Sequence, residues 1–554
     1  MIAVTLDRVT ISYASHPVFS DLSFEVPDDR AIGLVGSNGS GKSSLLRAIA
    51  GEVAPASGSV ARRTGLSVGY LPQELGFPQT ATVYDIVRGG ADELRIIERN
   101  LDEVERRLGD PEVFENDDSL QRTLHEQERL LEAYDLAGGP GIEARIRGIL
   151  RRLGFRDDDL SRPIGELSGG QRKLVGLAAQ ALGQPELLLL DEPDNHLDLA
   201  AKAHLQRFVQ GYPGGVILVS HDRYLLDLVV DEIAELEGGR LSRFPGNYSE
   251  YAVSREQLRA RRQKRYADQQ KEIDRLERSA SRLMTWGKVF DNPKFSQRGK
   301  AILKRLERME RVEAPATQPA MRLELIGWRG SSKVVELREL SKSFPSGEDS
   351  RASERAVLEG IDLIVRHGER LGIVGPNGSG KTVLFRILLG EETATGGEVV
   401  VGPSVRIGYY AQEHETLDPR RSLIDTLRHG AGISEAAAVR TLTRFAFNYE
   451  QAKRPVADLS GGERSRLQLA LIVHSGANLL LLDEPTNNLD IASAEILEEA
   501  LEGFEGTVLA ISHDRYFLDR MADRVAELRG GAMRVHIGGY SAAITRGEMQ
   551  EGLP

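Results

Sequence analysis

Cysteine is absent from the 554 residues, which excludes disulfides, thiolate metal sites and cysteine nucleophiles and fits a reducing cytoplasmic compartment. No run approaches 18 uninterrupted apolar residues, so no membrane span is expected. The first residues, MIAVTLDRVTISY, carry an early acid and no long apolar core, which argues against a signal peptide. Positive charge is also scarce: 71 Lys and Arg against 83 Asp and Glu leave a formal net charge of −12. With 40% apolar and 28% charged residues, the composition is that of a globular protein long enough for about two to four domains.

What is present occurs twice. GSNGSGKS begins at Gly36 and GPNGSGKT at Gly375, an offset of 339, which Gln73 and Gln412 keep. LSGGQ at Leu167 and LSGGE at Leu459 are 292 apart, as are the LLLLDEP runs at Leu187 and Leu479 and the SHDRY runs at Ser220 and Ser512. The first copy therefore holds 47 extra residues between its glutamine and LSGGQ. Roughly 85 residues separate the copies, and no C-terminal extension of any size is expected. The apolar runs AIGLVG, RLGIVG, LLLLDEP and VILVSHD read as buried strands, with helical stretches between them. That alternation predicts an α/β sheet with ligand at the strand C-termini.

GxxxxGK[ST] is a specific short motif for phosphate binding. Its glycines let successive backbone N–H groups point at phosphates, and the helix behind the loop favours negative charge. The candidate nucleotide-binding residues are Gly36, Ser37, Asn38, Gly39, Ser40, Gly41, Lys42, Ser43 and Ser44 in the first copy. In the second they are Gly375, Pro376, Asn377, Gly378, Ser379, Gly380, Lys381, Thr382 and Val383. Lys42 and Lys381 are expected on the β/γ-phosphates, with the Ser43 and Thr382 hydroxyls on Mg²⁺. Asp191 and Asp483 end apolar strands, where a carboxylate is costly unless it serves a cation. Glu192 and Glu484 follow and are placed to polarise an attacking water; a surface ion pair is the competing reading. His221 and His513 recur in register with these acids, which favours a γ-phosphate contact over a purely structural histidine.

The ordered set of P-loop, glutamine, LSGGQ, DEP strand and SHD histidine, present twice over about 450 residues, resembles the ATP-binding cassette (ABC) ATPases. The resemblance implies head-to-tail cassettes with two composite ATP sites. One joins Gly36–Ser43 to Ser460, Gly461, Gly462 and Glu463; the other joins Gly375–Thr382 to Ser168, Gly169, Gly170 and Gln171. It also implies Gln73 and Gln412 beside the metal, and adenine stacked on Tyr13 and Phe344, for which packing is an equally good explanation.

DEPDNHLD at 191–198 and DEPTNNLD at 483–490 resemble the Asn-rich form of the ABC-F family, twin-cassette proteins that act on ribosomes; Asp194 stands where that family usually has threonine. The expected organisation is a first cassette at 1–248 with a helical arm at about 91–137, and a basic helical hairpin linker at 249–332 with its tip near 285–299. A second cassette follows at 333–545, with a short tail at 546–554. The linker's chemistry points the same way independently. Residues 249–312 hold 18 Lys and Arg against 9 Asp and Glu on an otherwise acidic chain, the footprint of a polyanion partner, with a solvated spacer as the competing reading. Ile273, Leu276, Ala280 and Leu283 form a helical stripe that Leu303, Leu306 and Met309 continue on the return, and DNP at 291–293 turns the chain. The first helix is expected to span about 35 residues, roughly 50 Å. At the tip, Trp286, Lys288, Phe290, Lys294, Phe295, Arg298 and Lys300 combine aromatics and cations as RNA-stacking surfaces do, although aromatics there also suit packing of the hairpin end. The arm is opposite in sign, 15 acids to 6 bases over 91–135, which suits a basic ribosomal protein.

The resemblance thus implies a monomeric ATPase with intramolecular cassette pairing that uses ATP and Mg²⁺. It would occupy the E site of the 70S ribosome and direct its linker at the P-site tRNA, rRNA and peptidyl-transferase centre. Antibiotic protection is the leading role, regulation or rescue of stalled ribosomes the second. A transporter ATPase with separate membrane subunits is the reading from another class.

Overall fold

The four-leucine runs form the buried strands Leu187–Asp191 and Leu479–Asp483, every residue of which is inaccessible to solvent. Such strands need cover on both faces, which a parallel sheet flanked by helices supplies. The computed structural model describes residues 1–13, 16–114, 116–290, 293–309, 332–345, 354–411, 417–445, 447–459, 461–474, 476–487 and 489–549. In the first cassette the parallel order is Val68–Leu71, Leu187–Asp191, Gly215–Val219, Ala31–Val35, Glu232–Glu237. The second repeats it as Ile407–Tyr410, Leu479–Asp483, Thr507–Ile511, Arg370–Val374, Arg524–Arg529, with Ala532–Ile537 antiparallel at the edge. Each cassette adds a three-stranded antiparallel sheet, His16–Pro27, Ile2–Tyr13, Ser57–Arg62 and Glu354–Arg366, Lys333–Pro345, Gly396–Val401. The α/β class read from the sequence is the one observed.

The insertion of the first cassette is helical. Asp92–Leu108 and Asp117–Leu136 bury Leu94, Ile97, Val104 and Thr123, and Arg107 pairs with Glu126 at 2.9 Å. Both cassettes belong to one compact unit, residues 1–243 with 320–554.

The second unit is Phe244–Pro319. Its first helix, Tyr248–Val289, begins with a capping box between Asn247 and Glu250 and runs 42 residues, about 63 Å rather than 50 Å. The return helix is Pro293–Glu307. The two come into close contact where small residues meet: a Cβ on Gly299 would stand 2.7 Å from Met284 Cγ and 3.1 Å from the Ala280 carbonyl oxygen, and Ala280 is fully buried. The inward residues are Phe295, Gly299, Ile302 and Leu306 on the return helix and Met309 just past its end, at 4-3-4-3 spacing. Leu303, expected in the stripe, lies one residue off that seam, about 100° around the helix, and is exposed. Asp291 and Asn292 of the expected turn lie outside the described residues.

Candidate functional site

Each phosphate loop follows a central parallel strand, Ala31–Val35 or Arg370–Val374, and opens a helix, Lys42–Ala50 or Lys381–Leu389. Gly41 is left-handed at φ +102°, and a Cβ there would lie 2.5 Å from Val18 Cγ1, so only glycine fits. Lys42 Nζ donates to the Gly36 and Ser37 carbonyls at 2.8 and 3.1 Å; Lys381 Nζ donates to those of Gly375 and Pro376 at 2.7 and 3.0 Å. Burial pulls both ammonium pKa values down, against the pull of Glu192 on Lys42 and of Glu484 on Lys381. Buried lysines of this kind gain from a polyanion, and the Ser40 and Ser379 hydroxyls are buried without hydrogen-bond partners. Both observations fit a bound triphosphate.

Asp191 and Asp483 are buried, and burial raises both pKa values. Asp191 Oδ1 and both oxygens of Asp483 have no hydrogen-bond partner. A cation would remove that penalty. Among the described residues no group of three His, Asp or Glu converges as a metal cage. The donor set instead fits Mg²⁺, for which one carboxylate and the Ser43 or Thr382 hydroxyl would serve beside phosphate oxygens and water.

Glu192 and Glu484 both adopt left-handed backbone, φ +50° and +48°, where a side chain with a Cβ is strained. Glu192 Oε2 accepts from Gln73 Nε2 at 2.7 Å and Asn195 Nδ2 at 2.6 Å, and its carbonyl accepts from Lys173 Nζ. Gln73, expected at the metal, thus turns its amide nitrogen to the glutamate. Burial would raise the Glu192 pKa, but His221, Lys42 and Lys173 outweigh it and hold it below the ordinary value. Burial pushes Glu484 up to about 7. His221 Nε2 stands 3.5 Å from Glu192 Oε1, and His513 Nε2 stands 3.4 Å from Glu484 Oε1. His513, buried and facing Lys381 and Lys202, is held neutral. Its ring nitrogens and those of His221 have no hydrogen-bond partner.

The second P-loop and the first LSGGQ meet across one cavity of about 970 Å³, lined by Ser168, Gly169, Phe344, Lys381, Glu484 and His513 among others. Ser168 caps the helix Gly169–Leu182, and Gln171 closes the capping box, so this glutamine holds the helix N-terminus in shape. Gly170 permits close approach: a Cβ would lie 2.7 Å from the His196 carbonyl oxygen. The pairing is reciprocal. Asn377 N–H donates to Asp198 Oδ2 at 3.2 Å, and Asn38 N–H donates to Asp490 Oδ2 at 3.0 Å. Arg223 lies 4.2 Å from the ring centre of Tyr516, and Arg515 lies 4.5 Å from that of Tyr224. Leu199 packs with Val374, Leu518 and Tyr540. Gly461, Gly462 and Glu463 open the helix Gly461–His474, while Gln412 and Ser460 lie outside the described residues. Tyr13 ends its strand half exposed.

In the hairpin, Trp286 and Phe295 meet edge to face at 6.3 Å, while Phe290 is 67% exposed. Lys288, Lys294, Arg298 and Lys300 are exposed. The tip therefore divides between packing and a free aromatic.

Sequence reasoning missed Asp198, Asp490, Asn195, Lys173, Lys202, Arg223 and Arg515 as parts of the site. A signal existed for several of them: the LD after each Asn-rich loop and the arginine of each SHDRY recur at the same 292-residue offset as the acids.

Two P-loop cassettes closing on a shared, LSGGQ-lined cavity define an ABC-type ATPase. The ABC transporter family model matches residues 19–195 and 358–487, and a second model of that description matches 234–324. The chain is 36% identical to the tylosin resistance ATP-binding protein TlrC of Streptomyces fradiae, over 96% of this chain and 98% of the relative. It is 34% identical to the energy-dependent translational throttle protein EttA of Mycobacterium tuberculosis (95% and 91%) and 33% identical to ABC transporter F family member 5 of Arabidopsis thaliana (97% and 76%). It belongs to the ABC-F family and is an ATPase. A crystal structure of the archaeal ribosome recycling factor aABCE1 with the stalk protein aP1 shares the fold, with a TM-score of 0.59 at 19% identity over 98% of this chain and 92% of that one. No helix among the described residues is long and apolar enough to cross a membrane.

Proposed function

We propose that this ATPase is a translation factor that binds the 70S ribosome at the E site with its cassettes closed on ATP, and that hydrolysis releases it. The observation that carries the reading is the basic hairpin, 18 cationic against 9 acidic side chains over 249–312 of an acidic chain, in a helical unit of its own. Relatives named for translational throttling and for tylosin resistance support it. At each site ATP and Mg²⁺ supply the scissile phosphoanhydride and its counter-charge. Lys42 and Lys381 bind the phosphates, Glu192 and Glu484 orient the attacking water and accept its proton, and His221 and His513 hold the γ-phosphate end. The tip is directed at the P-site tRNA, rRNA and peptidyl-transferase centre, and the acidic arm meets a basic ribosomal protein. The exposed Phe290 favours a protective role against large-subunit antibiotics; the likeness to a translational throttle protein supports the second reading, regulation of ribosomes without a drug role.

The test is co-sedimentation. Glu192→Gln with Glu484→Gln keeps the phosphate loops and metal ligands, so the double variant should bind ATP, lose turnover and accumulate on 70S ribosomes only when ATP is present. Pelleting with membranes, or no ATP-dependent ribosome association, overturns the reading.

A further inference from the structure

The internal repeat allows the two ATP sites to be compared position by position, and one of their differences is a linked pair. Asp194 and Lys202 of the first cassette stand in register with Thr486 and Ala494 of the second. Lys202, on the helix Leu199–Gln210, lines the cavity that holds Lys381 and Glu484. Its Nζ donates to Asp222 Oδ2 at 2.8 Å within its own cassette, and across the interface to the backbone carbonyl of His513 at 3.0 Å. Asp194 is buried in the field of Asp222 and Lys202, with Oδ1 lacking a hydrogen-bond partner. Burial would lower the Lys202 pKa, but Asp222 and Asp194 reverse that and keep the ammonium charged. The Lys202 ammonium, eight residues along from the acid that departs from the family's threonine, lies in that acid's field, although burial and the charge of Asp222 outweigh it and raise the Asp194 pKa. At the other site the methyl group of Ala494 can donate no hydrogen bond to the His221 carbonyl.

We propose that Lys202 is a positioning residue for hydrolysis at the Lys381–Glu484 site: by holding the His513 carbonyl from the opposite cassette, it sets the His513 ring beside Glu484 only when the cassettes are closed. The two ATP sites are thereby made inequivalent, with catalytic competence at one tied to closure by an ammonium that the other lacks. The inference rests on the reading of Glu192 and Glu484 as the hydrolytic carboxylates of separate sites.

The experiment uses the full chain and isolates each site, Glu192→Gln leaving the Lys381 site active and Glu484→Gln leaving the Lys42 site active. Lys202→Met keeps the aliphatic stem and removes the donor. Asp194→Thr with Lys202→Ala gives the first cassette the residues of the second and removes the buried Asp194 carboxylate together with the ammonium, so that only Asp222 loses an ion-pair partner. In the Glu192→Gln background both changes should lower kcat at least tenfold with KM for ATP altered less than about threefold, and Lys202→Arg should restore part of it. In the Glu484→Gln background the loss should be absent. Unchanged kcat at the Lys381 site, a change in KM alone, or equal losses at both sites overturns the proposal, and the melting temperature of the double replacement shows whether folding is intact. Persistent turnover when both glutamates are replaced overturns the underlying reading instead, whatever Lys202 does, and the proposal falls with it.

Discussion

Asp490 divides its carboxylate between two cassettes: Oδ1 accepts from Ser493 N at 2.8 Å, capping its own helix, and Oδ2 accepts from Asn38 N at 3.0 Å in the opposite phosphate loop. Asp198 does the same toward Ala201, at 2.9 Å, and Asn377, at 3.2 Å. Helix capping and cassette closure thus share one side chain at each site. Serine at either position keeps a cap and loses the reach across. Asp198→Ser with Asp490→Ser should melt within about 1 kcal/mol of the parent, since capping serines and aspartates are nearly equivalent. ATP-driven closure, followed by energy transfer between dyes on the two cassettes, should weaken several-fold. Closure at the parent ATP concentration would show that the cross-contact is incidental.

Glu484 gives a pH prediction. Its folded pKa is raised to about 7 from an ordinary 4.5, because the buried carboxylate is easier to keep protonated. The native state therefore binds that proton more tightly than the unfolded chain does. The associated stabilisation is complete below about pH 4.5 and is lost as pH rises through 7, an effect on the order of 3 kcal/mol. Nucleotide-free protein should lose melting temperature across that window, and Glu484→Gln should flatten the profile there. An unaltered profile in the glutamine variant refutes the assignment.

The linker's electrostatics can be tested without touching either ATP site. Arg261, Arg262, Lys264 and Arg265 are exposed on the long helix. Reversing all four to glutamate should weaken ribosome binding and flatten its salt dependence, the logarithmic slope falling by about 0.7–0.9 for each phosphate that is no longer neutralised. Basal ATPase activity should change much less. Undiminished affinity would make the hairpin a spacer.

The elements legible in sequence were those whose chemistry is local. An apolar run that ends in glycine before a lysine announces strand, loop and helix together, and the 292-residue offset carried that inference to the second cassette. The ABC pairing was legible only through the family resemblance; the particular bonds that Asp198 and Asp490 make are long-range. Lys202 gave no signal alone, because a lysine on an amphipathic helix reads as solvated until the opposite cassette is seen against it. Leu303 misled for the opposite reason. Leucines at 303 and 306 suggest a stripe, but the small side of Gly299 rotates the seam onto Ile302, and spacing alone does not choose between two faces so close together.

The hairpin tip is where structure sharpens the functional question most. Trp286 and Phe295 contact each other edge to face, which gives each a packing role worth about 0.5–1.5 kcal/mol beyond its buried area. Phe290 is 67% exposed, so removing it costs the fold little. Alanine at the three positions should therefore separate the roles. Phe295→Ala should lower the helicity or melting of the linker first, with function following in proportion. Phe290→Ala should melt like the parent, yet lose tenfold or more in function if its ring stacks on a base, since such stacking is worth about 1–3 kcal/mol. Trp286→Ala, half exposed and half packed, should do some of each. The measurement pairs a melting curve with in vitro translation challenged by large-subunit antibiotics, alongside ATP-dependent ribosome binding as a control. Loss of drug rescue in Phe290→Ala, with melting and ribosome binding unchanged, would mark a tip that acts at the ribosome and favour protection. Full rescue by all three variants would leave the tip a structural end of the hairpin and turn the choice toward regulation.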